Sequence, residues 1–289
     1  MGGREIQWFP GHMAKAEKQI AGDLKRVDAV IELIDARVPK SSRNPDLDRL
    51  AGGKPRVLVL NKCDLADAAE TARWLALYRG RGSAALAADC RSGKNVGAVL
   101  PAVRGLLKDR LAAWAEKGMP GRRIRAMAVG VPNVGKSSLV NRLGRGSAAK
   151  VEDRPGVTRA AQWFSAGQGV DLLDTPGVLW PKFGGRAQGE RLAATGAVRD
   201  EAFDAEELSR SLLAFLRERY PDLLKRRYRL EDADLAGADG SGLLERVAER
   251  RGMRAAGGAA DTERAARMLL EEFRAGKIGR ITLERAGEA

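Results

Sequence analysis

The sequence predicts an α/β fold: a mainly parallel six-stranded sheet with helices on both faces over residues 1–180, then a small all-helical domain over residues 181–289. Three observations predict it. Buried-strand patterns alternate with helical periodicities through the first part of the chain. A glycine-rich segment, Gly130-Val131-Pro132-Asn133-Val134-Gly135-Lys136-Ser137, stands between the apolar run Ile124 to Val129 and a helical stretch. Past Trp180 the strand pattern ends. A chain of 289 residues, 44% apolar and 31% charged, is long enough for one α/β domain and a smaller companion.

In chain order, Ile6 to Met13 is a compact opening with two aromatics, and a helix follows to about Arg26 with Ala16, Ile20 and Leu24 on one face. Ala29 to Ile34 is a buried strand ending in Asp35-Ala36-Arg37. Asn44-Pro45 opens a short helix that Gly52-Gly53 closes. Arg56 to Leu60 is the second strand and runs into Asn61-Lys62-Cys63-Asp64. A helix near Thr71 to Tyr78 leads to a short strand, Ala84 to Ala88. The apolar spacing from Val96 to Trp114 predicts one long amphipathic helix. Ala161 to Ser165 and Val170 to Asp174 read as a hairpin closed by Thr175-Pro176-Gly177. In the helical part, Asp204 and Glu207 have capping-box spacing before a helix that Pro221 terminates, and Asp261 to Ala275 is a further helix.

The glycine-rich segment matches G-x-x-x-x-G-K-S in full. Its glycines let backbone N–H groups, here those of Asn133 to Ser138, curl around phosphate oxygens at a helix N-terminus. Lys136 then reaches the β- and γ-phosphates and the Ser137 hydroxyl ligates Mg²⁺. Asp174 and Gly177 fit D-x-x-G, with Asp174 holding Mg²⁺ through water and the Gly177 N–H facing the γ-phosphate. Thr158 is the candidate second Mg²⁺ hydroxyl.

Asn61-Lys62-Cys63-Asp64 fits N-K-x-D, a guanine-reading pattern. The Asp64 carboxylate accepts from guanine N1–H and the exocyclic amine, a pair that adenine lacks, which argues against an ATPase or kinase. Asn61 either contacts the base edge or ties its loop to the phosphate loop, and the Lys62 stem packs over the ring. Cys90 and Arg91 stand where a backbone N–H would meet guanine O6. The expected ligands are therefore GTP and GDP with Mg²⁺. The motif order is reversed, because the guanine loop precedes the phosphate loop. One sheet still forms if the chain is circularly permuted, and the γ-phosphate loop then leads straight into the helical domain, a switch by tether.

A net charge of +13 favours a polyanionic partner. The cluster Lys225, Arg226, Arg227 and Arg229, with Arg250 and Arg251, is the candidate RNA surface. No run of eighteen apolar residues exists, the opening is no secretory signal, and two cysteines build neither a disulfide framework nor a thiolate cage. The expectation is a cytoplasmic protein with no membrane or DNA partner.

With these motifs in hand, the chain resembles the circularly permuted GTPases of ribosome assembly. IQWFPGHMAKA, DARVP, NKCD, GVPNVGKSS, PGVTR and LLDTPGVLWPKF match that family's pattern in order, and RLAATGAVRD and GKIGR resemble its RNA-contacting C-terminal domain. The resemblance implies a GTPase acting in late maturation of the large ribosomal subunit, stimulated by that subunit. The alternative is an RNA-binding scaffold in which bound GTP is structural. Val178 supports it, because an aliphatic side chain cannot orient water where many GTPases place Gln. The resemblance puts His12, the single histidine, near the nucleotide as the candidate water-positioning group. It puts Asn133 where potassium-dependent relatives hold K⁺ against the phosphates.

Overall fold

The computed structural model describes residues 18–144, 161–177, 179 and 184–288. These form two compact units. One runs from the start of the described chain to position 179 and takes back residues 284–288, and the other is residues 184–283.

The first unit is built on one sheet of six strands: β1 Ala29–Asp35, β2 Arg56–Asn61, β3 Ala84–Ala87, β4 Ile124–Val129, β5 Gln162–Ala166 and β6 Val170–Asp174. Their order is β3-β2-β1-β4-β6-β5, parallel throughout except for the antiparallel β5–β6 hairpin. All seven residues of β1 are buried, as expected for a strand covered on both faces. From β1 the chain steps outward to β2 and β3, then returns to β4 on the other side. The order therefore reverses between β1 and β4, where open α/β sheets place their ligands. The mainly parallel six-stranded sheet read from the sequence, with its permuted strand order, is the one observed.

Right-handed crossovers put α2 (Leu47–Ala51) and α3 (Ala68–Gly80) on one face and α4 (Val99–Leu106) and α6 (Lys136–Leu143) on the other. The helix α1, residues 18–24, packs Ile20 and Leu24 against Val30, Met127, Val129 and Leu173. On α3, Trp74 and Tyr78 bury against Ile34, Leu58 and Leu60. The tail closes this corner: the Glu284 carboxylate accepts from the backbone N–H groups of Lys40 (2.6 Å) and Ser41 (3.0 Å), and Trp74 Nε1 donates to Glu284 O at 3.1 Å.

The long helix expected from Val96 to Trp114 is broken. A 3₁₀ turn, Val96–Ala98, precedes α4, and α5 (Lys108–Glu116) starts anew after Leu107, whose φ of −106° leaves the helical range. Gly105 weakens the last turn of α4; Leu107 and Trp114 are buried and Leu106 is exposed.

The second unit is all helical: α7 Arg186–Ala194, α8 Ala205–Arg219, α9 Pro221–Tyr228, α10 Asp232–Leu235, α11 Gly240–Arg250 and α12 Thr262–Arg274. Helices α8, α11 and α12 pack together, burying Leu212, Leu213, Leu243, Leu244, Val247 and Leu269. The Asp204 carboxylate accepts from Glu207 N, and Asp261 caps α12 through Arg264 N. Pro221 does end α8, but it also opens α9 as its first residue, a position where its missing N–H is no loss. Helix α11 escapes a propensity reading because Gly240 and Gly242 occupy its first turn; Asp239 caps it through Gly242 N.

Candidate functional site

The strands β1, β2, β4 and β6 end in Asp35, Asn61, Val129 and Asp174, and neighbouring strands bring these ends to one edge of the sheet. The phosphate loop leaves β4 there and enters α6, which begins at Lys136 behind Gly135 at φ 104°. Asn133 is left-handed at φ 57°. Ser137 Oγ donates to Asp174 Oδ2 at 3.0 Å, so the two Mg²⁺ candidates on this edge are adjacent. A hydroxyl and a carboxylate are the hard oxygen donors that Mg²⁺ prefers, so the set fits. Gly177 lies against the loop. A Cβ there would stand 2.7 Å from Pro132 Cα and 2.9 Å from Lys136 Nζ, so only glycine allows this close approach to the loop.

Lys136 is 6% exposed and donates to the carbonyls of Gly130 (3.2 Å) and Val131 (3.0 Å). Burial pulls its pKa down to about 8 against the attraction of Asp174, and Lys62 lowers it further. Between pH 8 and the usual lysine value the unfolded chain holds the proton that the folded one has released, so stability without ligand rises with pH in that window. Phosphate beside the ammonium restores the charge. Binding of GDP near pH 8 should therefore take up about half a proton, and affinity should fall as pH rises above it. Calorimetry in buffers of different ionisation enthalpy measures this; zero uptake would show that Lys136 is fully charged before binding.

Asn61 joins three loops. Its Nδ2 donates to Val134 O at 2.6 Å, and its Oδ1 accepts from Cys90 N at 2.9 Å. Of the two roles open to it in the sequence, the geometry makes the tie to the phosphate loop. Asp64 is exposed and available to a base edge. Cys90 is buried and its thiol is pushed up to about 12 by burial; its backbone N–H, expected to meet guanine O6, is the one that donates to Asn61 Oδ1. Arg91 is exposed, and Arg91 N donates to Asp89 Oδ1 at 2.8 Å, shaping the turn.

Lys62 sits at φ 59°, with Nζ 3.4 Å from Asp35 Oδ2. Asp35 is gripped in a fork by Arg37, Nε to Oδ1 at 2.9 Å and Nη2 to Oδ2 at 2.8 Å, and both residues are buried. Burial alone would raise the Asp35 pKa; Arg37 and Lys62 instead hold it far below the usual carboxylate range. Asp35, Arg37, Asp89 and Arg142, which donates to Arg91 O, support the site but were assigned no role in it from the sequence. The available signal was position: DAR follows β1 as NKCD follows β2.

His12, Thr158 and Val178 lie outside the described residues. Ser138 is half-buried in the first turn of α6. In the helical unit, Lys225 pairs with Asp222 (3.1 Å) and Asp232 (2.9 Å), Arg250 with Asp234 (2.8 Å), and Arg227 and Arg251 with Glu272. Arg226 and Arg229 are exposed.

Residues 125–236 match the family described as 50S ribosome-binding GTPase. The chain is 43% identical over 279 residues to ribosome biogenesis GTPase A of Bacillus cereus, covering 96% of this chain and 93% of that one. Against the Priestia megaterium protein of that name, identity is 45% over 285 residues, with 98% of each covered. The chain belongs to the ribosome biogenesis GTPase A family. The GNP-bound structure of YlqF from T. maritima superposes with a TM-score of 0.64 at 29% identity, over 94% of this chain and 98% of that one. Membership brings GTP hydrolysis as the activity and guanine nucleotide with Mg²⁺ as ligands.

Proposed function

We propose that this GTPase binds the maturing large ribosomal subunit and couples GTP hydrolysis to its late assembly. The observation that carries the reading is the Asn61 tie, which fixes the guanine loop to the phosphate loop at 2.6 Å within a family named for ribosome biogenesis. The Asp64 carboxylate selects guanine. The N–H groups from Asn133 to Ser138 and the Lys136 ammonium hold the phosphates. Ser137, Asp174 and Thr158 hold Mg²⁺, which when bound neutralises phosphate charge. His12 positions the attacking water, because Val178 carries no group to do so. Asn133 holds K⁺ against the phosphates. The partner is the subunit's RNA and protein and the setting is the cytoplasm; among the described residues no helix is long and apolar enough to cross a membrane.

GTP turnover with and without large subunits, in potassium and in sodium, tests this. Expected are stimulation by the subunit, a faster rate in potassium, and a His12→Ala loss of about a hundredfold or more. Equal rates with and without subunits would remove the coupling. Equal rates in both salts would remove the potassium role. An unchanged His12→Ala rate would remove His12, and a subunit-bound protein that never turns over would favour the scaffold reading, which Val178 supports.

A further inference from the structure

A second basic surface starts where β1 and β4 begin, at the other end of the sheet from the nucleotide edge, and reaches along the edge strand β5 to Trp163, opposite Leu173 of β6. Asp28, just before β1, is its hub. Its Oδ2 accepts from Arg125 N at 3.0 Å, and Arg110 and Arg122 approach its Oδ1 to 3.1 and 4.0 Å. Both guanidinium groups also lie over Trp114, 5.2 and 4.2 Å from its ring centroid. Arg123 pairs with Asp171 at 2.8 Å and donates to Ser165 Oγ on the edge strand β5 at 2.9 Å. Two residues back on β5, Trp163 is 37% exposed, with Arg26 and Arg125 at 5.7 and 5.6 Å from its centroid.

Three properties set this face apart from the basic cluster of the helical unit. There, Lys225, Arg227, Arg250 and Arg251 are each matched by carboxylates. Here, among the described residues, Arg26, Arg110, Arg122, Arg123 and Arg125 share only Asp23, Asp28 and Asp171. Arg125 has no carboxylate within ion-pair reach among the described residues, and the indole beside it faces solvent. The two guanidinium groups at Trp163 stand at the outer limit of cation–π contact, so an incoming planar group displaces little. An exposed indole flanked by uncompensated arginines suits a nucleobase with phosphates on either side. A duplex hides its base faces, whereas an unpaired strand offers them.

We infer that the face formed by Arg26, Trp163 and Arg125, with Arg110, Arg122 and Arg123 beside it, docks an unpaired segment of RNA, one base stacking on Trp163 while the arginines hold its phosphates. The inference rests on the reading of this protein as a factor that works on a ribosomal particle.

The test uses the full chain and a fluorescein-labelled twelve-nucleotide oligouridine, read by anisotropy across a salt series, with a twelve-base-pair RNA duplex alongside. Trp163→Ala should weaken oligouridine binding about tenfold or more, Trp163→Phe should retain most of it, and duplex binding should not change. Arg26→Ala and Arg125→Ala should each weaken binding and lower the salt slope by about one. An unchanged GDP affinity in every variant shows that the nucleotide site is intact. If the wild type binds oligouridine and none of these substitutions matters, this face is not the surface, though an RNA partner stands. Equal loss for strand and duplex in Trp163→Ala would overturn the stacking. A wild type that binds large subunits but not oligouridine would overturn the unpaired-RNA assignment alone. One that binds neither would overturn the ribosomal reading as well.

Discussion

Replacing Asp35 by alanine is expected to cost about 3–5 kcal/mol of folding stability, among the largest effects of any single change in the sheet unit. The cost comes from what stays behind. Arg37 is 1% exposed, and its guanidinium is held in a fork by the one carboxylate that Asp35 supplies. Removing that carboxylate takes the fork from a buried guanidinium, and deleting one member of a buried pair costs more than the pair itself is worth. The pair also steadies the base-reading loop, because the same carboxylate meets Lys62 Nζ at 3.4 Å. Denaturant unfolding measures the first effect and GDP titration the second. The double variant Asp35→Leu with Arg37→Met should recover most of the stability, since both members of the fork are replaced together, yet keep the loss of GDP affinity, since the contact from Asp35 to Lys62 is still removed. Recovery of both would mean that Asp35 serves folding only. An Asp35→Ala protein as stable as the parent would show that the fork contributes nothing to folding.

That pair also marks the boundary of what the sequence makes legible. The sheet was readable because buried strands announce themselves: Ala29 to Ile34 and Arg56 to Leu60 are apolar runs, and all of β1 is buried. The nucleotide loops were readable because their chemistry restricts residue type at fixed spacing. Register is different. Asp35 meets Lys62 because β1 and β2 pair with Asp35 opposite Asn61, and no local pattern encodes that offset. The Lys62 stem, expected over the ring, carries an ammonium that turns to Asp35. Charge pairing is equally silent in a sequence. Lys225, Arg227, Arg250 and Arg251 form a basic cluster on paper, but Asp232, Asp234 and Glu272 reach them only once the chain has folded. Conversely, Arg26, Arg125 and Trp163 are far apart in the chain and share no motif, so their face becomes visible only when the sheet sets β4 and β5 on either side of β6 and the turn after α1 comes over them.

Gly135→Ala should weaken GDP binding about a hundredfold or more, with a smaller loss of stability. Two costs combine. Gly135 stands at φ 104°, a backbone region that penalises a side chain by about 1–3 kcal/mol. A Cβ there would also fall on Asn61 Nδ2, well inside contact distance. Asn61 cannot simply swing away, because it is buried and its amide is used at both ends, by Val134 O and by Cys90 N. Displacing it would strand those two backbone groups at about 1–3 kcal/mol and release the guanine loop from the phosphate loop. The cause can be separated from mere backbone strain by a double-mutant cycle. Asn61→Ala alone should weaken GDP binding too, because it removes the tie without touching the phosphate loop's glycine. If the two changes share one lesion, Gly135→Ala in the Asn61→Ala background should add only the strain, and the combined loss should fall short of the sum by about tenfold or more in affinity. Strict additivity would mean that Gly135 acts on the phosphates alone. The tie would then be a feature of folding rather than the link through which base recognition and phosphate binding depend on each other.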